Sequence, residues 1–234
     1  MNNYILIVIC CCLVQLVSAQ QKPFPPRDET NTDPSLSAFV MDLKKAVTNR
    51  NQAWVKKSLA DDAESSLDSE LNKDSFIKTW DVDNDSSDFW RIISRVIEMG
   101  GVFLHDTADH SGKFQFVFPY TYALDLSIED DFYNMGVITG KNVNLRAKPD
   151  INGKVVSQLT YDIVRFLTDP KEELQITSGA NGIGEPEWYK IETYGKDKTG
   201  WVNWRFVYNL MGPRLFLYKE SSGKWKISAL ITGD

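Results

Sequence analysis

Gly140-Lys141-Asn142-Val143-Asn144-Leu145-Arg146-Ala147-Lys148-Pro149 is the stretch on which the reading of this chain turns. Val143 and Leu145 alternate with Asn144 and Arg146, which gives a strand one apolar and one polar face. Pro149-Asp150-Ile151-Asn152-Gly153 then reads as a turn, and Lys154-Val155-Val156 opens a second apolar run toward Leu159. Further along come Trp188-Tyr189-Lys190-Ile191 and Thr199-Gly200-Trp201-Val202-Asn203. The pattern predicts short strands over 137–139, 141–146, 154–159, 161–167, 188–194 and 198–203, with turn residues such as Gly195-Lys196-Asp197 between them. Short strands at even spacing predict a small β-barrel.

These runs, in this order across 136–208, resemble the bacterial SH3 (SH3b) family. Its pattern is a V-N-(V/L)-R-x-x-P opening, a K-V-(V/I) strand, a W-(Y/V)-K-(V/I) strand and a closing G-W-V hairpin. The resemblance implies an SH3-like barrel in a secreted or periplasmic protein, with peptidoglycan or an envelope protein or peptide as its partner. The 169–187 loop is longer than the family's and is expected to be exposed and mobile. Trp188, Trp201 and Val202 are expected in the core, with Gly200 permitting a tight turn before Trp201 closes the barrel end. Asn144 and Arg146 admit two readings, a side-chain lock on a neighbouring turn or a contact with ligand. Tyr189, Tyr194, Trp204 and Tyr208 are expected to face outward, as amphipathic aromatics beside a shallow groove do. The ligand-binding candidates are therefore Asn144, Arg146, Tyr189, Tyr194, Trp204 and Tyr208.

On the N-terminal side, Leu36, Phe39, Val40, Leu43 and Val47 recur at helical spacing after Asp33-Pro34. Further helices are predicted over 51–59, 74–80 and 88–99, the last ended by Gly100-Gly101. Residues 102–105, 113–118 and 120–126 read as strands, and 214–219 with 224–231 as a hairpin turning at Ser221-Ser222-Gly223. A lone hairpin is marginal, so it is expected to pair with the strands of 102–126 against the helices. The resulting fold class is α+β: N-terminal helices packed on an antiparallel sheet completed by the C-terminal hairpin, with an inserted SH3-like β-barrel. The divisions are a discontinuous α+β domain over 36–135 plus 209–234 and a barrel over 136–208. Gly100-Gly101-x-Phe103, Phe118-Pro119-Tyr120 and the terminal Gly-Asp are similar to secreted bacterial proteins in which an SH3b barrel interrupts a helix-then-strand domain. That likeness implies no activity.

The first nineteen residues hold no charged side chain, and Val17-Ser18-Ala19 places small residues before Gln20. This reads as a signal peptide over 1–19, followed by a proline-rich flexible linker over 20–35. Cleavage would remove Cys10, Cys11 and Cys12, every cysteine in the chain, and leave no stable membrane span. The remainder must be held together by burial, for which 12% aromatic residues, including seven Trp, supply material. A net charge of −6 without a basic cluster argues against a nucleic-acid partner.

Chemistry has little to stand on. A thiolate nucleophile is absent once the leader is removed, and no G-x-S-x-G, H-E-x-x-H or phosphate loop occurs. The only histidines, His105 and His110, read as a solvated turn, so no metal site is assigned. Asp81, Asp83 and Asp85 resemble a calcium loop, but Ser86 replaces its glycine and Ile92 its final Glu. No catalytic residue, metal or cofactor is assigned. The reading is a secreted or periplasmic, non-catalytic binding or scaffolding protein. The alternative is an envelope enzyme with a pocket in the α+β domain lined by Trp80, Trp90 and Tyr120.

Overall fold

A computed structural model describes residues 23–65, 71–104, 112, 114–126, 132–167 and 187–233. The leader, His105, His110 and nearly all of the 169–187 loop lie outside the described residues. Among those described, four helices and two sheets make an α+β chain. In order they are α1 (Pro34–Thr48), α2 (Gln52–Ser58), β1 (Leu59–Glu64), α3 (Lys73–Thr79), α4 (Asp88–Glu98), β2 (Val102–Phe103) and β3 (Phe116–Phe118). Then come β4 (Met135–Ile138), β5 (Val143–Arg146), β6 (Val155–Leu159), β7 (Ile163–Phe166), β8 (Trp188–Thr193), β9 (Thr199–Asn203), β10 (Val207–Asn209), β11 (Arg214–Lys219) and β12 (Trp225–Ile231). None of the described helices is long and apolar enough to cross a membrane.

Helix α1 begins where the sequence supplies a cap. Pro34 presets the first turn, and the Asp33 carboxylate accepts from the N–H groups of Ser35 (2.7 Å) and Leu36 (3.2 Å). Hydrogen bonds from the Ser35 side chain and from Lys219, whose Nζ lies 3.0 Å away on β11, hold this carboxyl well below the usual carboxylate range. Leu36, Val40, Leu43 and Val47 of α1 and Phe89, Ile93, Val96 and Ile97 of α4 form apolar stripes. They pack with Phe116, Phe118, Leu215, Leu217, Ile227 and Leu230 from one face of the first sheet. Trp90 and Tyr120, expected to line a pocket, are buried instead, and Trp80 packs against this core with its indole N–H donating to Leu230 O (3.1 Å).

That first sheet runs β1-β12-β11-β3-β2. Strand β11 pairs antiparallel with β12 and with β3, so the hairpin completes the sheet. The sheet is mixed rather than antiparallel, because β1 lies parallel to β12. Strand β1 left no signal: Leu59-Ala60-Asp61-Asp62-Ala63-Glu64 is poor in β-branched and aromatic residues, yet Leu59, Ala60 and Ala63 are buried. A second correction concerns 120–126. Pro119 follows a cis peptide bond and offers no N–H to a ladder; the chain turns through a 3-10 segment, Tyr120–Ala123, and buries Tyr120.

Residues 23–33 are not a free tether. The Phe24 ring stacks on Tyr120 at 5.4 Å, and its N–H donates to Tyr161 O (2.8 Å) in the segment before β7. Glu29 N–H donates to Gly101 O (2.8 Å), and its carboxylate accepts from Phe103 N–H (2.8 Å). Gly100 makes room for this strap: its φ is +84°, and a Cβ there would lie 2.6 Å from Arg27 O. Phe24 and Glu29, among three prolines, tie the segment down.

The second sheet is antiparallel throughout, in the order β10-β4-β7-β8-β9-β5-β6. Among the described residues no pairing joins β6 to β10. Its core is aliphatic, built from Ile138, Val143, Leu145, Leu159, Val164, Ile191, Val202 and Val207 around Phe166. All seven strands lie in the chain between β3 and β11, which are themselves paired, Phe118 with Leu215.

Candidate functional site

At one end of the second sheet lies an open groove of about 710 Å³. Its walls come from β5 and the residues before it (Lys141 to Asn144, and Arg146), the turn at Ile151, the start of β8 (Glu187, Trp188) and the run Asn203 to Phe206. Period-2 geometry sets the first wall. Val143 and Leu145 are buried, so Asn144 and Arg146 stand on the other face. Arg146 is steadied by a hydrogen bond from Nη1 to Gly153 O (2.7 Å), and Asn144 Oδ1 accepts from Gln158 Nε2 (3.2 Å) on β6.

The opposite wall turns on a short 3-10 segment, Trp204–Phe206. Asn203 caps it, its side-chain oxygen accepting from Arg205 N–H (3.2 Å), and Trp204 N–H donates to Glu187 O (3.0 Å). Arg95 reaches over from α4. Its Nη2 donates to Trp204 O (2.9 Å) and Val207 O (3.0 Å). Its guanidinium lies 4.7 Å from the centre of the Trp204 ring and 5.2 Å from that of Tyr208. A groove-lining tryptophan is thus held by the helical domain.

The family model described as "Bacterial SH3 domain" matches residues 141–208, the segment that carries every wall of this groove. Residues 141–208 are a bacterial SH3 domain. No curated protein matches the chain. The SH3 domain accounts for the strand order from β5 to β10, and β4 lies just ahead of the matched segment.

Of the six candidates, the SH3 domain gathers Asn144, Arg146 and Trp204 around the groove. For Arg146 the turn lock and the groove position hold together, since the bond to Gly153 aims the side chain at the groove wall. Tyr208 faces inward, against the expectation: it is 3% exposed, its hydroxyl donates to Pro213 O, and its ring joins the core of the helical domain. Tyr189 packs edge-on against Phe166 at 4.9 Å, and Tyr194 rests on Leu126, Met135 and Ile163. Neither lines the groove.

Trp188 was expected in the core and lines the groove instead. Alternation carried that information. Ile191 and Thr193 are the buried positions of β8, so Tyr189 shares their side and Trp188 takes the other. The same rule applied to β9 leaves Trp201 half-buried, opposite Arg146 and Lys190, rather than closing the domain's interior. Gly200 serves close approach rather than a turn, because a Cβ there would lie 2.7 Å from Arg146 O and 2.8 Å from Leu145 Cγ. Sequence reasoning also missed Lys141, Arg205 and Arg95. The first two lie at strand margins, and the third contacts the groove from more than a hundred residues away.

Proposed function

We propose that this protein is exported and acts in the cell envelope as a non-catalytic binding or scaffolding protein, its SH3 domain recognising peptidoglycan or an envelope peptide. The observation that carries the reading is the groove: two tryptophans, Trp188 and Trp204, with Asn144 and Arg146 across from them on a rigid sheet end. Bacterial SH3 domains are modules for cell-wall or peptide ligands, and flat aromatic faces beside hydrogen-bonding groups suit both. The apolar run of 4–17 ahead of small residues supports export. Trp90, buried in the core under the helices, and Tyr120, buried in a separate cluster with Val117 and Phe216, support binding over a catalytic pocket lined by these residues. Sedimentation with purified peptidoglycan tests the reading. The intact protein is expected in the pellet, and Trp188→Ala is expected to shift it to the supernatant; an intact protein that never sediments overturns the peptidoglycan reading. Mass measurement of the protein recovered from its native host tests export, with removal of residues 1–19 as the expected result.

A further inference from the structure

The SH3 domain meets the helical unit at β10, where Tyr208 is rooted in the helical core and Arg95 donates to Trp204 O (2.9 Å) and Val207 O (3.0 Å). A second tie is Phe24, on the strap. Among the described residues, Phe24 is the only side chain that packs in both apolar clusters at the joint. One cluster holds Val117, Tyr120 and Phe216 of the larger unit; the other holds Met135, with Ile163 and Tyr194 of the SH3 domain. The main chain bridges as well. The Phe24 ring stacks on Tyr120 at 5.4 Å while its N–H donates to Tyr161 O (2.8 Å), across the joint. Further on, Glu29 bonds only to Gly101 and Phe103, so the strap is fastened to the larger unit and reaches the SH3 domain through Phe24.

Local sequence prepares this tie and keeps it small. Pro23, Pro25 and Pro26 fix φ on both sides of Phe24, and Pro25 holds Phe24 itself to extended backbone. The segment therefore loses little conformational freedom when the ring docks. The three prolines, Arg27 and Asp28 are exposed, so the crossing rests on one half-buried ring and one short hydrogen bond. The acceptor residue is itself under strain: Tyr161 sits at φ +58°, a conformation that a bulky side chain adopts only where its neighbours hold it. A tie of this size opens by local fluctuation, well below global unfolding.

We infer that residues 23–29 form a latch. With Phe24 seated, the SH3 domain has one fixed orientation on the larger unit. With Phe24 released, it is held at β10 and by its two chain connections, and its tilt changes. The latch sets the direction in which the SH3 domain faces, whichever ligand that domain takes.

Residual dipolar couplings of the backbone amides in the isotope-labelled protein read that orientation. In the wild type, one alignment tensor is expected to fit the helices, the first sheet and the SH3 strands together. In Phe24→Ala, the tensor of the SH3 strands is expected to shrink to roughly half that of the larger unit. The amides of Tyr161 and Tyr194, bonded beside the joint to Gly140 O (3.2 Å) and Ile163 O (3.0 Å), are expected to exchange about tenfold faster. Amides of α1 and of Ile191 and Val202, inside the two units, keep their rates. Phe24→Tyr, which retains the stacked ring, restores wild-type behaviour in both measurements. A single shared tensor in Phe24→Ala overturns the latch whatever the exchange rates do. Faster exchange throughout α1 or at Ile191 and Val202 also overturns it, because the ring would then be part of a unit's core.

Discussion

The two halves of this molecule spend their aromatic residues in opposite ways. Among the described residues, the core shared by helices and first sheet holds twenty-three buried residues, seven of them aromatic, whereas the SH3 core holds nine with one aromatic. The SH3 domain keeps Trp188 and Trp204 at its margin, beside three cations, where a ligand can reach them. Of the two buried aromatics of the SH3 segment, Phe166 sits in its own core and Tyr208 in the core shared with the helices. The difference teaches how the aromatic material is divided between core and surface. The larger unit is built for stability and holds the smaller one in place, and the smaller unit presents a surface.

Mutations break the comparison at different depths. Phe118→Ala, at a fully buried ring packed 5.1 Å from Phe116 on the strand that pairs with β11, is expected to cost about 3–5 kcal/mol in urea denaturation. A loss below about 1 kcal/mol would mean that the larger core is less tightly built than its burial indicates. Arg95→Ala removes two hydrogen bonds and two ring contacts between the halves, and a loss of about 2 kcal/mol is expected. Its sharper reading is a single unfolding transition that splits in two, together with weaker ligand binding as Trp204 loosens. A variant that keeps one transition and full affinity would show that the halves are held together elsewhere.

Gly200→Ala acts inside the SH3 domain alone. The added methyl meets the Arg146 backbone, and a loss of about 1–3 kcal/mol is expected, with hydrogen exchange rising in β5 and β9 but not in α1 or α4. Asp33→Ala is the smallest change and lies wholly in the larger unit, at about 1 kcal/mol near neutral pH. Here the pH dependence has a definite sign. The folded carboxyl titrates below its unfolded value, so its stabilisation is complete above about pH 4–5 and is lost as pH falls through the lowered folded value. Wild type and variant should therefore converge in strong acid, in melts recorded across that range.

What could be read in the sequence divides along the same line. In the SH3 segment β5, β8 and β9 alternate between turns marked by glycine, asparagine or proline, so their positions were visible within about two residues, whereas the three-residue β10 was not read as a strand. The side of each strand was just as visible, and Trp188 was misassigned because size was allowed to outweigh parity. In the larger unit the stripes of α1 and α4 and the 214–231 hairpin were plain. Strand β1 was not, because Ala and Asp become a strand there only through their neighbour β12. The groove was half legible. Asn144, Arg146 and Trp204 follow from local pattern, whereas Arg95 over Trp204 depends on a packing contact that no local window contains.

The pairing of Phe118 with Leu215 has a consequence for the order in which the molecule is made. The ribosome releases the helices first, but Leu215, Leu217, Ile227 and Leu230 of their core belong to strands synthesised after the whole SH3 segment. Until then the apolar stripes of α1 and α4 have no complete sheet to cover them. An SH3 domain that folds in the interval draws the two ends of a loop of about a hundred residues toward each other, and lessens the closure entropy that β3 and β11 must overcome. Seven strands made between two paired ones thus lie inside the loop that this pairing closes.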